Sequence, residues 1–195
     1  MKSQTVLLKS ILAYRGLSSG YSFRGKIKNV HNGGVRVIQL KDFENNYSSI
    51  GDHCTMVDSD KIKDKYYLET GDVLFISKGA NNFSVVFKED GGVPTIASSA
   101  LFVLKINKEK ASPEFIAWYL NQSIAQNYLK SNESGTYATS INRTALENVP
   151  INLPAMDVQC KIAKVADLYN KEQVINSRIT ELKNTLITNQ LIKSL

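Results

Sequence analysis

The chain has 195 residues, a net charge of +6 and 43% hydrophobic residues. This length fits one medium domain or a smaller domain with an appendage, and the hydrophobic content excludes global disorder. No run of about 18 apolar residues occurs and no secretory signal precedes the first strand, which disfavours membrane and secreted classes. The two cysteines, Cys54 and Cys160, lie far apart without metal-ligand spacing, so a reducing cytoplasm is expected.

Positive charge is concentrated at the start of the chain. The first 41 residues contain eight cations and no Asp or Glu, so the other 154 residues sum to −2. The cations are Lys2, Lys9, Arg15, Arg24, Lys26, Lys28, Arg36 and Lys41. This imbalance suggests a polyanionic partner such as nucleic acid, because each neutralised phosphate releases counterions. A basic surface that only keeps the protein soluble is the other interpretation.

Short strands are predicted along the first 155 residues. Apolar runs or alternation predict strands at 35–40, 73–77, 83–87, 95–97 and 101–106. The sequence Glu89-Asp90-Gly91-Gly92 between the third and fourth of these segments predicts a hairpin turn that would pair them.

Helices are predicted after the last of these strands. Ser112-Pro113-Glu114 indicates a helix start, with a Ser cap, Pro at the first position and an acid in the first turn. Its apolar stripe runs from Phe115 to Leu129, and a second short helix is expected from about Ser140 through Leu146. Pro150 and Pro154 then separate this region from the rest of the chain.

The last 40 residues, 156–195, contain no Gly or Pro and predict one long helix. Residues alternate there at steps of three and four, the spacing of a coiled-coil seam. One series is Leu168, Ile175, Leu182 and Asn189, and the other is Val165, Glu172, Ile179, Leu186 and Lys193. A helix from Asp157 to Ile192 is about 54 Å long at ~1.5 Å per residue. Its stripe must pack either on the preceding domain or on a second chain.

The expected fold is therefore α+β. A compact domain of residues 1–155 with a mixed or antiparallel sheet precedes a long coiled-coil helix of residues 156–195. The candidate dimer interface consists of Val165, Leu168, Ile175, Ile179, Leu182 and Leu186.

No catalytic constellation is recognisable. The only histidines, His31 and His53, have no neighbouring pattern for zinc binding or a nucleophile relay. Glu181 and Lys183 have the spacing of many nuclease sites, but they flank the predicted seam, where an exposed charge pair is the simpler interpretation. A non-catalytic protein without cofactor or metal is expected.

Four stretches, in this order, resemble the specificity subunit of type I restriction–modification systems. The first joins 20–25 to 37–42, and the second, 67–75, is similar to the family's lxxGDxLf strand. The third joins Ser98-Ser99 and 101–106 to the Ser-Pro-Glu-Phe helix with Trp118-Tyr119-Leu120. The fourth comprises Gly135, Ile141, Leu146, Val149-Pro150-Ile151, Leu153-Pro154, Gln159 and Ile162. Val158 stands where the family often has Glu, and the chain has one recognition domain and one long helix where the full subunit has two of each.

The resemblance implies a mechanism. Each recognition domain reads one half of a bipartite double-stranded DNA target, and the long helices pair in an antiparallel coiled coil that sets the spacing. Adenine methyltransferase subunits dock on this scaffold, and a motor-nuclease subunit joins the larger complex. A half-length chain is then expected to form a homodimer through residues 157–192, with a palindromic target and a nonspecific spacer.

Candidate DNA contacts are polar residues in loops at the strand ends. They are Lys26, Lys28, Lys78, Asn81, Asn82, Ser98, Ser99, Tyr137, Thr139, Asn142 and Arg143. Ser140 belongs to the last of these clusters. Each has a structural alternative: Asn81-Asn82 as a turn, Ser140 as a helix cap, Tyr137 as a packing residue and the lysines as solvated charges.

Two other functions remain open from the sequence. The chain could be the recognition portion of a fused restriction–methylation enzyme, or a protein-interaction module whose helix recruits a partner while the first domain binds no DNA.

Overall fold

The structure is a computed structural model of the chain. It describes residues 4–31, 33–44, 49–51, 53–59, 62–79, 82–133 and 140–194. Its strands, in chain order, are β1 (Gln4–Leu7), β2 (Leu12–Ser19), β3 (Val35–Ile38), β4 (Phe43–Glu44), β5 (Ser49–Ile50), β6 (Thr55–Val57), β7 (Val73–Ile76), β8 (Ser84–Val86), β9 (Thr95–Ala97), β10 (Leu101–Ile106) and β11 (Pro150–Leu153). The α-helices are α1 (Pro113–Leu120), α2 (Ser123–Ser131), α3 (Arg143–Glu147) and α4 (Met156–Lys193).

The largest sheet is antiparallel and has the strand order β2-β10-β7-β8. Its central strand β7 is apolar at every position because both faces of the sheet are covered. Val73 and Phe75 belong to the core that contains α1, whereas Leu74 and Ile76 pack in a second core with Ile38 of β3. The twofold periodicity of a strand thus sends alternate residues of one run into two cores.

The second sheet is mixed, with the order β6-β3-β9. β3 pairs antiparallel with β6 and parallel with β9. The predicted hairpin around Gly91 and Gly92 is therefore wrong, since β8 pairs with β7 in the first sheet and β9 pairs with β3 in the second. The apolar segments were located correctly, but β8 pairs with the strand before it and β9 pairs with β3, which lies far away in the sequence.

Two short antiparallel ladders complete the strands. β4 pairs with β5, and β1 pairs with β11 in the register Gln4↔Leu153 to Leu7↔Pro150. The second ladder holds the start of the described chain next to the segment that leads into α4. The hydroxyl of Tyr119 in α1 accepts a hydrogen bond from Asn152 N at 3.2 Å, which ties this ladder to the helix layer.

The single helix predicted from Ser112 to Leu129 is divided into α1 and α2. The start is as expected: Ser112 Oγ accepts from Phe115 N, and Pro113 is the first helical residue. The division follows from Asn121, whose side chain accepts from Ser84 N at 2.7 Å and donates to Ser84 O at 2.9 Å. The side-chain amide of Asn121 thus pairs with the backbone of β8 as a neighbouring strand would. Gln122, the next residue, has an extended backbone conformation.

The second predicted short helix begins three residues later than expected, at α3. Its cap is Asn142, whose Oδ1 accepts from Ala145 N at 2.8 Å, and not Ser140.

The long helix α4 has 38 residues, about 57 Å at ~1.5 Å per residue. Its first turns pack on α1, and Ile162 lies against the core. Every described residue from 167 to 194 is exposed. The alternative in which this helix folds back along its own domain is therefore wrong, and the predicted α+β architecture with a projecting helix is confirmed.

Within the described part of the chain, no helix combines the length and apolar content needed to cross a membrane.

Candidate nucleic-acid interface

Three polar segments that are remote in sequence meet at one edge of the large sheet. Ser77, just after β7, donates from both N (3.1 Å) and Oγ (3.0 Å) to Ala100 O. Ile141 N donates to Ser77 O at 2.9 Å, and Lys78 and Ser140 form an antiparallel bridge. We call residues 77–78, 98–100 and 140–143 the polar edge. It brings together members of the three predicted loop clusters.

The side chains of the polar edge differ in exposure. Lys78, Asn142 and Arg143 are exposed, Ser99 is half-buried and Ser98 is buried. The backbone of Ser98 donates to Ile38 O and accepts from Leu101 N, so Ser98 shapes the turn between the two sheets. Ser99 is consequently the more accessible hydroxyl of the pair.

An open groove of about 360 Å³ runs beside the polar edge. It is lined by Ile27, Gln39, Leu40, Lys41, Ser98, Ser99 and Ala100. The side chains of Gln39 and Lys41 both donate to Thr55 Oγ1, at 2.8 Å and 3.0 Å. The groove thus places an amide, an ammonium group and a hydroxyl together, which are donor and acceptor types used to recognise base edges.

The turn that holds Gln39 depends on Asp42. The buried Asp42 carboxylate accepts from Gln39 N at 2.8 Å. Burial raises the pKa of Asp42 above its ordinary value, while the Gln39 N–H and the charge of Lys41 act in the opposite direction. Gln39 and Lys41 were not among the DNA contacts predicted from the sequence. The available signal was the position of Lys41 at the end of the basic amino-terminal segment.

Lys26 and Lys28 are exposed on either side of Ile27, which forms part of the groove wall. Their segment is fixed to β6, since Met56 N donates to Asn29 Oδ1 and Val30 N donates to Met56 O, both at 2.9 Å. Two cations therefore flank the groove from a backbone that is held in place.

Asn82 has a structural role that differs from the predicted base contact. It is 6% exposed, and its Nδ2 donates to Ile76 O at 2.9 Å. Its backbone carbonyl accepts from Gln126 Nε2 at 2.7 Å, which links it to α2. These bonds leave Asn82 little surface for DNA. The other predicted residues of these loops, Asn81, Tyr137 and Thr139, lie outside the described residues.

Arg143 lies at the end of the polar edge, where Nε bonds to Glu147 Oε1 at 2.7 Å. The neighbouring Asn142 uses its Oδ1 to cap α3. Arg143 also lines a second cleft, together with residues 15–18 of β2.

The two histidines and the Glu181–Lys183 pair lie on the surface. His31 and His53 are exposed, and Glu181 pairs with Arg178 at 2.6 Å. Among the described residues, no three His, Cys, Asp or Glu side chains cluster as metal ligands would.

The six predicted interface residues of α4 form an exposed apolar row. Their exposed fractions lie between 43% (Ile179) and 67% (Val165). The row comprises Val165, Leu168, Ile175, Ile179, Leu182 and Leu186. An exposed apolar row of this length is typical of a surface that binds another protein.

The family model for the type I restriction modification DNA specificity domain matches residues 2–184. The chain belongs to this family. The specificity domain is a DNA-recognition domain, and the specificity subunits that contain it are non-catalytic. A comparison with curated proteins found no match.

Solved structures of specificity subunits share the fold. The HsdS subunit from Thermoanaerobacter tengcongensis superposes with a TM-score of 0.65 at 16% identity, over 96% of this chain and 46% of that one. The type I restriction–modification S subunit from M. genitalium gives 0.57 at 12% identity, over 88% and 40%. A chain from a structure on complex assembly and conformational transition of the type I R-M system gives 0.68 at 16% identity, over 94% and 46%. This specificity domain thus spans less than half the length of the chains it matches.

The Gly-Asp pair of the specificity-domain motif builds the turn before β7. Gly71 adopts φ +100°, which a residue with a side chain rarely tolerates. Asp72 is 4% exposed; its carboxylate accepts from Glu69 N at 3.0 Å and lies 3.5 Å from Lys105 Nζ. Burial raises the pKa of Asp72, against the opposing effects of the Glu69 N–H and of Lys105. The motif is therefore a structural turn.

Proposed function

We propose that this specificity domain recognises one half of a bipartite DNA target through residues 1–155 and dimerises through residues 156–195. The observation that carries the proposal is the meeting of the polar edge, the groove and the flanking lysines on one side of a domain of this family. Lys41, Gln39 and Ser99 supply side chains suited to base edges, and Lys26, Lys28, Lys78 and Arg143 supply charge for phosphates.

Two arguments support double-stranded DNA as the ligand. The amino-terminal segment with +8 in 41 residues supplies two of the lysines beside the groove and Lys41 within it. Hydrogen-bonding groups in a groove surrounded by cations fit a duplex, in which phosphate contacts set position and base contacts set sequence. Such binding must weaken steeply as salt is raised.

The exposed row on α4 supports a homodimer. No described element covers the apolar row of α4, and monomeric proteins rarely leave a row of this extent exposed. The three–four spacing matches another helix of the same kind. A twofold axis across the helix inverts the two recognition domains, so the target should be two inverted half-sites with a spacer between them.

Family membership supports the partners. Specificity subunits bind DNA and assemble with methyltransferase and restriction subunits. We infer that adenine methyltransferase subunits dock on this chain, that a motor-nuclease subunit joins the larger complex, and that the assembly acts in the cytoplasm.

The test is a selection of tight binders from random DNA duplexes by the purified chain at moderate salt. The expected result is enrichment of two inverted half-sites at one spacing. The double change Ile175→Asp with Ile179→Asp should abolish the dimer in analytical ultracentrifugation and leave only single half-sites enriched. The double change Ser177→Asp with Asn184→Asp is the matched control, since it adds the same two negative charges on the side of α4 opposite the seam.

Two outcomes of the selection would contradict the proposal. If the chain enriches no sequence, either alone or with a methyltransferase subunit present, the proposed DNA recognition is wrong. If single half-sites are enriched by the unmodified chain, recognition stands and the homodimer is wrong.

A further inference from the structure

A second cleft, bordered by residues 15–18 of β2, is rich in cationic side chains. It has a volume of about 530 Å³ and is lined by Arg15, Gly16, Leu17, Ser18, Lys65, Lys105 and Arg143. Four of these seven described lining residues are positively charged, and none is acidic. Like charges gathered around one open space repel each other unless an anion lies between them.

The backbone of β2 is distorted where it borders this cleft. Arg15 has φ +54°, and it is the one described non-glycine residue with a positive φ. The register with β10 shifts between Leu104 and Ile106, as in a bulge. Gly16 is required there, because a Cβ at this position would lie 2.5 Å from Lys105 O. Bulges and left-handed residues of this kind concentrate at functional sites, where they redirect a side chain.

The charges in the cleft differ in how they are balanced. Lys105 Nζ lies 3.1 Å from Glu69 and 3.5 Å from Asp72, and Arg143 pairs with Glu147. In the described part of the chain, Arg15 and Lys65 form no ion pair. Each lies against an aromatic ring, Arg15 at 5.3 Å from the centre of Tyr14 and Lys65 at 4.9 Å from that of Tyr66. Both side chains are exposed.

We propose that this cleft binds phosphate groups of the DNA backbone beside the half-site, with Arg15 and Lys65 as the principal contacts. The inference rests on the proposed DNA recognition and adds a second contact surface to it. Arg143 belongs both to the polar edge and to the cleft, so the two surfaces meet at this residue. The planar guanidinium of Arg15 suits two phosphate oxygens, and Lys65 supplies a point charge.

The proposed phosphate contacts should contribute to the affinity for DNA and to its salt dependence. Phosphate contacts fix position without distinguishing bases, so the cleft should add affinity equally to every sequence. It should also add to the salt dependence of binding, because each phosphate contact releases counterions.

The experiment compares the full chain with Arg15→Asn, Lys65→Gln and the double variant. Asn is chosen at position 15 because it tolerates the left-handed backbone conformation. Lys65 has a negative φ, so Lys65→Gln needs no such choice. Lys88→Gln is the charge-matched control for each single variant, since Lys88 follows β8, the edge strand opposite to β2. Binding to a selected duplex is measured over a tenfold range of NaCl concentration, from about 0.05 to about 0.5 M.

The double variant should lower the slope of log K against log salt by about 2, and weaken binding roughly 60-fold at 0.1 M salt, taking 1 M as the point where the contacts add nothing. The preferred sequence should be unchanged, and Lys88→Gln should bind like the unmodified chain. Unchanged affinity and slope in all three cleft variants overturn the inference while the proposed function stands. If the unmodified chain shows no sequence-specific binding, the inference and the proposed function are both overturned.

A second measurement separates DNA from free phosphate. Titration calorimetry with inorganic phosphate is done on the same proteins. Binding of inorganic phosphate that Arg15→Asn abolishes, together with unchanged DNA affinity, would assign the cleft to a free anion and overturn the DNA assignment.

Discussion

At the scale of single residues, Gln159 shows how one side chain determines where the long helix leaves the domain. It is 1% exposed within the first turns of α4. Its Oε1 accepts from Ser112 N at 2.9 Å and its Nε2 donates to Pro154 O at 2.9 Å. One side-chain amide thereby provides hydrogen-bond partners for a backbone N–H at the start of α1 and for a backbone carbonyl before α4. This double role explains its place in the family motif.

Gln159→Ala is expected to destabilise the fold. It leaves the buried Ser112 N–H and the half-buried Pro154 carbonyl without their side-chain partner, and the buried N–H alone costs about 1–3 kcal/mol. Urea unfolding measures the loss, and Gln173→Ala, the same change on the exposed part of α4, should stay within about 0.5 kcal/mol. Equal effects of the two substitutions would show that the amide of Gln159 does not anchor the helix.

At the scale of elements, the sequence predicted what local patterns determine. The strand β7, the capped start of α1 and the whole of α4 follow from periodicity and caps, and the family motifs located the loops of the polar edge. The pairing of β9 with β3 and the division at Asn121 could not be predicted, because both depend on partners distant in sequence. The cleft was equally hidden, since Arg15, Lys65 and Arg143 come from three separate parts of the chain.

The element with the least support from its own chain is α4. Its residues 167–194 are exposed, and an isolated helix gains little stability without a packed face. Hydrogen exchange of the α4 amides should therefore slow as protein concentration is raised through the dimerisation range, while exchange in β7 and β10 changes much less. Mass spectrometry of peptides from each element measures this. Exchange in α4 that is independent of concentration would exclude pairing through this helix.

At the scale of the whole molecule, the helix should act as a ruler between two half-sites. If two copies pair antiparallel along α4, each recognition domain lies at one end of a rod about 57 Å long. The distance between the domains then depends on helix length, whereas base recognition depends on the polar edge and the groove. Spacing and sequence preference should consequently change independently of each other.

Repeating residues 172–178 once in each chain tests this separation. Seven residues preserve the seam and lengthen the helix by about 10.5 Å, or about three base pairs at ~3.4 Å each. The selected target should keep its half-sites and gain about three base pairs of spacer. A two-residue insertion rotates the part of the seam that follows it by about 200°, at ~3.6 residues per turn, and should weaken the dimer instead. An unchanged spacer after the seven-residue repeat would mean that the distance between half-sites is set by something other than α4, because no other described element would lengthen.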